Sequence, residues 1–311
     1  MKLDLTNFFI STVLTIITAA TPLTFAATGE LLVEKSGVLN LGVEGMMVLG
    51  AIAAFAVGVS TGSAVLAVIA GIVAGVSLAM VFGFLVLVLL ANQVATGLAL
   101  TIFGIGLSAL IGHEFVGMTF AGIPNLNIPL ITQIPILGPI LFGQDALVYL
   151  SVSLVIGTNW FLTKTRAGLA LKAVGENHNA AHSIGMSVIG VRFQAVLFGG
   201  AMAGLGGAYL SLVYTPLWVE NMTAGRGWIA LALVVFAAWR PWRAFLGAYL
   251  FGGIAIIQLH IQGAGLSVPA QFLSMLPYLA TIIVLVMISK SSVDRQLRAP
   301  GSLGKIFYAS S

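Results

Sequence analysis

Nine apolar runs, near residues 7–28, 38–60, 64–90, 93–112, 144–163, 191–213, 227–239, 243–262 and 270–289, take up most of the chain. A helix needs about 20 such residues to cross a bilayer, and a helix satisfies all its backbone polar groups within itself there. The sequence therefore predicts an all-α polytopic membrane protein with about nine transmembrane helices, in a range of roughly eight to ten. The run at 227–239 is short for a full crossing and reads as a broken helix, or as one continued into the Gly225-Arg226-Gly227 turn. A second broken or re-entrant segment is expected near 36–45, where Gly-Val-Leu-Asn-Leu-Gly opens the second run. Only 7% of the 311 residues are charged and the mean hydropathy is +1.09, which leaves no room for a separate soluble domain. Residues 1–311 are read as one transmembrane domain. Reading Met1–Ala27 as a cleaved leader is disfavoured, because its positive region is a single Lys2 offset by Asp4 and its apolar run is long enough to span.

The longest hydrophilic interruption is Lys164–Arg192, which holds Lys164, Arg166, Lys172, Glu176, His178, His182 and Arg192. Basic residues near span ends stay cytoplasmic. With this loop (164–190) inside, Lys35, Lys164, Arg166, Lys172, Arg192, Arg240, Arg243, Lys290, Arg295, Arg298 and Lys305 fall inside, and Lys2 and Arg226 fall outside, accounting for all 13 Lys and Arg. That bias puts the N-terminus outside, and the tail 290–311 inside. Lys164, Arg166, Lys172 and Arg192 read as topological anchors. The 113–143 loop, with Pro124, Pro129, Pro135 and Pro139, reads as an irregular extracytoplasmic cap, either a plain connector or a rest for a soluble partner. The net charge of +4 is thus topological, not a nucleic-acid signal.

Chemistry-bearing groups are sparse. With no cysteine there is no disulfide, thiolate metal site or thiol nucleophile. No H-E-x-x-H or phosphate-binding lysine loop occurs, so no catalytic residue and no bound cofactor is expected. His178 and His182 share a helical spacing, but no third ligand of suitable type lies nearby and no metal site is expected. Ion coupling would need carboxylates at mid-membrane. Glu44 lies a turn and a half into the second run, Glu114 and Asp145 sit at span ends, and the remaining acids are expected in loops. Glu44 either holds the broken start of that run, lines a path, or is a satisfied interface residue. Unpaired amides are costly in lipid, so Asn40, Asn92, Gln93, Thr96, Asn159, Gln258, His260 and Gln262 must face a partner or a wet cavity. Of these, Asn40, Glu44, Asn92, Gln93, Thr96, Gln258 and His260 are the substrate-path candidates, suited to a polar uncharged solute. Hydrogen bonds between helices are the competing reading. Gly71-x-x-x-Gly75 and Gly200-x-x-x-Gly204 fit close helix contact. Within the loop, Asn177 can cap a short helix, Ala180 and Ala181 offer a small-residue face, and Gly185 can end it. That pattern leaves a docking knob and a solvated loop equally open.

At this loop Gly175, Glu176, Asn177, Ala180, Ala181 and Gly185 match G-E-N-x-x-A-A-x-x-x-G, with His182 where a basic residue is common. The match resembles the coupling helix of permease subunits of bacterial ATP-binding-cassette (ABC) importers, in the family serving branched-chain amino acids, ribose-type sugars and nucleosides. The segment Gly29–Met47, with its N-L-G-x-E-G-M-M form, is similar to the nucleoside branch linked to basic membrane lipoproteins. So are Gly225–Ala232, Trp239-Arg240-Pro241 and Gly247–Gly252. The resemblance covers residues 10–290. It implies a transport subunit of the bacterial inner membrane, not an enzyme, with ATP used by a cytoplasmic ATPase docked at the six loop residues. It also implies an extracytoplasmic binding lipoprotein or periplasmic protein, a second permease subunit, more often a different and longer chain, and a nucleoside as solute. The alternative is a stand-alone secondary transporter or facilitator for sugars or nucleosides.

Overall fold

The computed structural model describes residues 2–126, 132, 134–263, 272, 275, 276, 279, 282, 283, 286 and 299–308. Among the described residues the chain is helical, with two isolated bridges, Thr119 to Leu217 and Asn125 to Asp145, and no strand. The helices are α1 (Lys2–Lys35), α2 (Val43–Thr61), α3 (Ala64–Gly83), α4 (Gln93–Gly112), α5 (Leu137–Phe142), α6 (Ala146–Lys164), α7 (Arg166–Glu176), α8 (His178–Ser183), α9 (Val188–Tyr209), α10 (Arg226–Phe236) and α11 (Pro241–Gly263). Single π-helical turns, Phe84–Val88 and Leu210–Tyr214, extend α3 and α9.

Seven of these are long and apolar enough to cross a membrane: Thr6–Lys35, Val43–Thr61, Ala64–Val88, Gln93–Phe115, Ala146–Lys164, Val188–Tyr214 and Pro241–Gln262. They correspond to seven of the nine expected spans. The run at 227–239 becomes α10, whose 11 residues reach about 16 Å, half the hydrocarbon thickness. The run at 270–289 falls largely outside the described residues. The first helix corrects its expected bounds of 7–28. No breaker interrupts Glu30-Leu31-Leu32-Val33-Glu34-Lys35, so α1 continues to Lys35 and ends only where Gly37 turns at φ +90°. Glu30 and Glu34, expected in a loop, are therefore helical and buried.

Small residues let the core helices approach. α9 packs on α1, α2 and α3, and α2 is buried on nearly every side. A Cβ on Gly50 would lie 2.5 Å from the Gly204 backbone, and one on Gly75 would strike Gly200 and Gly204. The Gly71/Gly75 and Gly200/Gly204 pairs thus face each other across the α3–α9 seam, as the small-residue spacing predicts.

Candidate functional site

α2 has 19 residues where the α3 span joined to it has 25, so α2 starts about 9 Å short of the α3 end. Ser36–Gly42 fills the gap as non-helical chain. Irregular backbone at membrane depth is tolerated where protein covers it, and most of this segment is buried. Its polar groups are satisfied one by one. Leu39 N donates to Gln93 Oε1 at 2.8 Å, Asn40 N to Glu30 Oε1 at 3.3 Å, Gly42 N to Asn40 Oδ1 at 3.0 Å, and Thr101 Oγ1 to Leu41 O at 3.0 Å. The expected break at 36–45 is thus a buried turn between two helices.

Glu44, 2% exposed, stands in the first turn of α2 and caps α10. Its Oε1 accepts from Thr223 Oγ1 at 2.6 Å and Gly225 N at 2.8 Å, and its Oε2 accepts from Gly227 N at 2.6 Å. A carboxylate there meets the positive end of the helix and its unpaired N–H groups. Gly227 allows the approach, since a Cβ on it would lie 2.6 Å from Glu44 Cα. Arg226 is the first residue of α10. Its Nη1 donates to Met222 O and Thr223 O at 3.1 and 3.2 Å, and its guanidinium lies 5.2 Å from the Tyr214 ring centre.

The other end of α10 is tied to α1. Ala238 and Trp239 take φ of +49° and +54° in succession, a conformation that costs on the order of 1 kcal/mol per residue for non-glycine side chains. The turn brings Trp239 Nε1 to Glu34 Oε2 at 2.5 Å. Glu30, one turn earlier on α1, keeps one oxygen without a protein partner while 1% exposed.

The 164–190 loop folds as α7 and α8, capped by Thr165 and Asn177. Glu176, Asn177, Ala180 and Gly185 point outward, whereas Gly175 and Ala181 are buried. Gly175 abuts the backbone of Lys35 and Ser36, where no Cβ fits. Residues 299–308 lie against the same loop: Ser302 N donates to Gly175 O at 2.8 Å and His178 N to Ser302 Oγ at 3.2 Å. Phe307 is buried with Val174, Ala181 and Val188 and meets the His178 and His182 rings edge-on at 5.3 Å. Arg192, read from sequence as a topological anchor, is 1% exposed and organises this junction. It donates to Ser36 O at 3.1 Å, Lys305 O at 3.2 Å and His178 Nδ1 at 3.0 Å. A guanidinium only donates, so His178 Nδ1 is the acceptor and its ring proton sits on Nε2. Burial, then the charges of Arg192 and Lys305, hold the His178 pKa below its ordinary value.

Of the path candidates, the fold gathers Asn40, Glu44 and Gln93 around the buried turn. Asn92, exposed, caps α4 by accepting from Ala95 N at 3.0 Å, and half-buried Thr96 follows it one turn on. Gln258 and His260 lie apart on α11, where His260 stacks edge-on to Phe8. Sequence reasoning missed Glu30, Glu34, Trp239, Ser302 and Phe307. The four-residue spacing of Glu30 and Glu34 in an unbroken helical stretch was the available signal for the first two. A cavity of about 490 Å³ between α1, α6, α7 and α9 is mainly apolar, with Thr158 and Gln194 among its polar groups, and includes no path candidate. A second, of about 280 Å³, lies beside the 113–143 loop and is lined by Thr18, Asn125, Gln144 and Asp145 among others.

Residues 12–288 match the family described as branched-chain amino acid transport system, permease component. The chain is 40% identical, over 92% of its length and 93% of the relative's, to a Haloferax volcanii protein provisionally named a glucose ABC transporter permease. It is 32% identical to a nucleoside ABC transporter permease of Lactococcus lactis, covering 86% of this chain and 89% of that protein. It is also 32% identical to a guanosine ABC transporter permease of Bacillus subtilis, covering 86% and 88%. The chain belongs to this permease family: it is a multi-pass membrane subunit of the ABC-importer type and a transport component, not an enzyme.

Proposed function

We propose that this chain forms part of the path by which an ABC importer moves a nucleoside, and that a cytoplasmic ATPase drives it through α8. The observation that carries the reading is the construction of α8. A short capped helix and its flanks show Glu176, Asn177, Ala180 and Ile184 to solvent, Ile184 being 72% exposed, while Ala181 on its inner side packs with Val174 of α7, Val188 of α9 and Phe307, and α7 itself abuts the end of α1 at Gly175. An exposed apolar tip on a rigid base suits a groove on a motor protein. Among the six loop residues, Glu176, Asn177, Ala180 and Gly185 then make contact, and Gly175 and Ala181 hold the helix in place.

The solute reading draws on the relatives named for nucleoside and guanosine transport, with the glucose-named relative marking the sugar-bearing range. Asn40, Gln93 and Glu44 with Asn92 and Thr96 are the proposed inner lining, and Gln258 and His260 a separate stretch of path. In the full reading the single domain 1–311 has about nine spans, the N-terminus outside and the tail inside. A second, different permease chain completes the path, an extracytoplasmic binding protein delivers solute, and ATP is consumed by the partner alone.

The test is co-reconstitution with the ATPase, comparing the native chain with Ile184→Asp and Glu176→Lys. Loss of ATPase retention and of solute-stimulated hydrolysis is expected. Unchanged retention and stimulation would refute the docking role, and solute flux in liposomes holding this chain alone would favour the stand-alone transporter. Measuring which solute the cognate binding protein takes up decides nucleoside against sugar.

A further inference from the structure

We infer that residues 301–307 form a strap that positions α8 for the ATPase, so that docking depends on a segment 124 residues away along the chain. This rests on the reading of α8 as the coupling helix.

α8 has six residues, and isolated helices shorter than about 12–15 residues are marginal in water. Its Asn177 cap satisfies one N–H, at 3.0 Å from Ala180 N, which is not enough to hold a single turn and a half. The strap supplies the rest. Ser302 works in both directions, its N–H on Gly175 O and its Oγ receiving His178 N, so it fixes the hinge between α7 and α8. Gly301 passes so close that a Cβ there would lie 2.6 Å from Glu176 O. Phe307 then inserts between Val174 of α7, Ala181 of α8 and Val188 of α9, with the His178 and His182 rings against its edges. Ala181 is 3% and Phe307 7% exposed. The strap is what makes Ala181 an inner residue and leaves Ala180 and Ile184 as the outer face.

The same few residues anchor the strap to the membrane helices. Gly304 N donates to Gly37 O at 3.1 Å, just beyond α1, and Arg192 of α9 holds Lys305 O. The strap therefore joins the coupling helix to α1 and α9 at once, and displacement of α8 cannot occur without loading both. Ser302 and Phe307 are positioning residues. Their contacts are with α7, α8 and α9, and they act through α8.

The experiment uses the whole chain with its ATPase and compares Phe307→Ala, the conservative Phe307→Leu and a chain ending at Ala299. Amide exchange over 176–184, retention of the ATPase and solute moved per ATP are read together, with exchange over α2 and α9 as the measure of fold. Phe307→Ala is expected to speed exchange over 176–184 by at least about tenfold, because the helix loses its main buried contact. It should weaken ATPase retention by a similar factor while α2 and α9 stay protected, and Phe307→Leu should recover most of both. Loss of solute moved per ATP separates positioning from mere stabilisation. If Phe307→Ala docks the ATPase as well as the native chain with unchanged exchange, the strap has no such role. The decision rests on Phe307→Ala even where the shortened chain does not fold. If Ile184→Asp on the intact chain also leaves docking intact, the coupling reading itself has failed. If Ile184→Asp abolishes docking and Phe307→Ala does not, only the strap is overturned.

Discussion

Replacing Glu44 tests whether it is a structural lock between α2 and α10 or takes a direct part in the path. In Glu44→Gln the side chain keeps its size, and Gln Oε1 can still accept from Thr223 Oγ1 and Gly225 N. Its amide nitrogen, however, now faces Gly227 N–H, where the native carboxylate accepts at 2.6 Å. One charge-assisted bond becomes a donor–donor contact and two others lose their charge. In water-soluble proteins bonds to charged groups contribute about 1.5–3 kcal/mol each, which would suggest a loss of several kcal/mol. Polar contacts between membrane helices average only about 0.6 kcal/mol, because the membrane-embedded unfolded chain finds other partners. Glu44 is 2% exposed and the Gly227 N–H it meets is buried, so we expect about 2–3 kcal/mol for Glu44→Gln, above that average. Glu44→Ala, which leaves all three donors unpaired, should cost about 1–3 kcal/mol for each of them, less whatever water repays. Denaturant unfolding in mixed micelles, followed by tryptophan fluorescence, measures both. Under the lock, transport falls in proportion to folded protein for Glu44→Gln and its pH profile keeps its shape. Native stability with abolished transport in Glu44→Gln would refute the lock and leave Glu44 with a direct part in the path.

Four further outcomes follow from the same geometry. Gly204→Ala pushes a Cβ into the Gly71 and Gly75 backbone and should cost about 1–3 kcal/mol by overpacking, whereas Gly106→Ala, with nothing within 4 Å, should be neutral or stabilise α4 by up to about 1 kcal/mol; thermal unfolding in detergent compares them. Arg192→Lys cannot reach Ser36, Lys305 and His178 from one ammonium, so the 299–308 segment should become protease-sensitive while the spans stay folded. Because the His178 pKa is lowered by burial and then by Arg192 and Lys305, its neutral form is the one the fold favours. Its contribution is therefore complete above the ordinary value of about 6.5 and is lost as pH falls toward and through the lowered one. Anisotropy of a fluorophore at the C-terminus should be flat from about pH 8 to 7 and drop below about 6.5, and release on raising the pH would contradict this sign. Gly175→Ala forces α7 away from the end of α1 and should leave ATP hydrolysis running while solute movement falls, read as the ratio of the two in proteoliposomes.

Much of this arrangement is legible in the chain. Long apolar runs specify seven spans because each must satisfy its own backbone in lipid, and the Gly71/Gly75 and Gly200/Gly204 spacings already name a seam. The break before α2 is legible for the same reason, since Gly37, Asn40 and Gly42 are poor material for a helix at that depth. What pattern reading misses is charge held by distant partners. Glu30 and Glu34 look like loop residues because a carboxylate in an apolar environment is costly, and the groups that meet them, the Asn40 amide at one Glu30 oxygen and the Trp239 indole 205 residues from Glu34, lie outside the helical stretch itself. Arg192 reads as an anchor for the parallel reason: its three acceptors come from the end of α1, from α8 and from the tail, and no local window contains them.

These buried polar groups also share a position in the fold. Glu44 joins α2 to the start of α10, Glu34 joins α1 to the turn after α10, and Arg192 joins α9 to the end of α1, to α8 and to the tail. Apolar seams between transmembrane helices can slide at little cost, because lipid tails and leucine side chains are equivalent neighbours. A hydrogen-bonded charge cannot slide, since it must keep its partners or be left unsatisfied. Buried polar contacts thus connect α8 and the end of α7, through Arg192 and Gly175, to Ser36, and the turn leads on to Glu44 and α10. That route runs from the exposed loop face to the region where Asn40, Gln93 and Glu44 meet. Its links are buried hydrogen bonds at Arg192 and Glu44 and the close backbone approach at Gly175. Under the proposed coupling role of α8, a push there would reach α10, a half-length helix held by Glu44 at its start and tied by Glu34 to the turn after it.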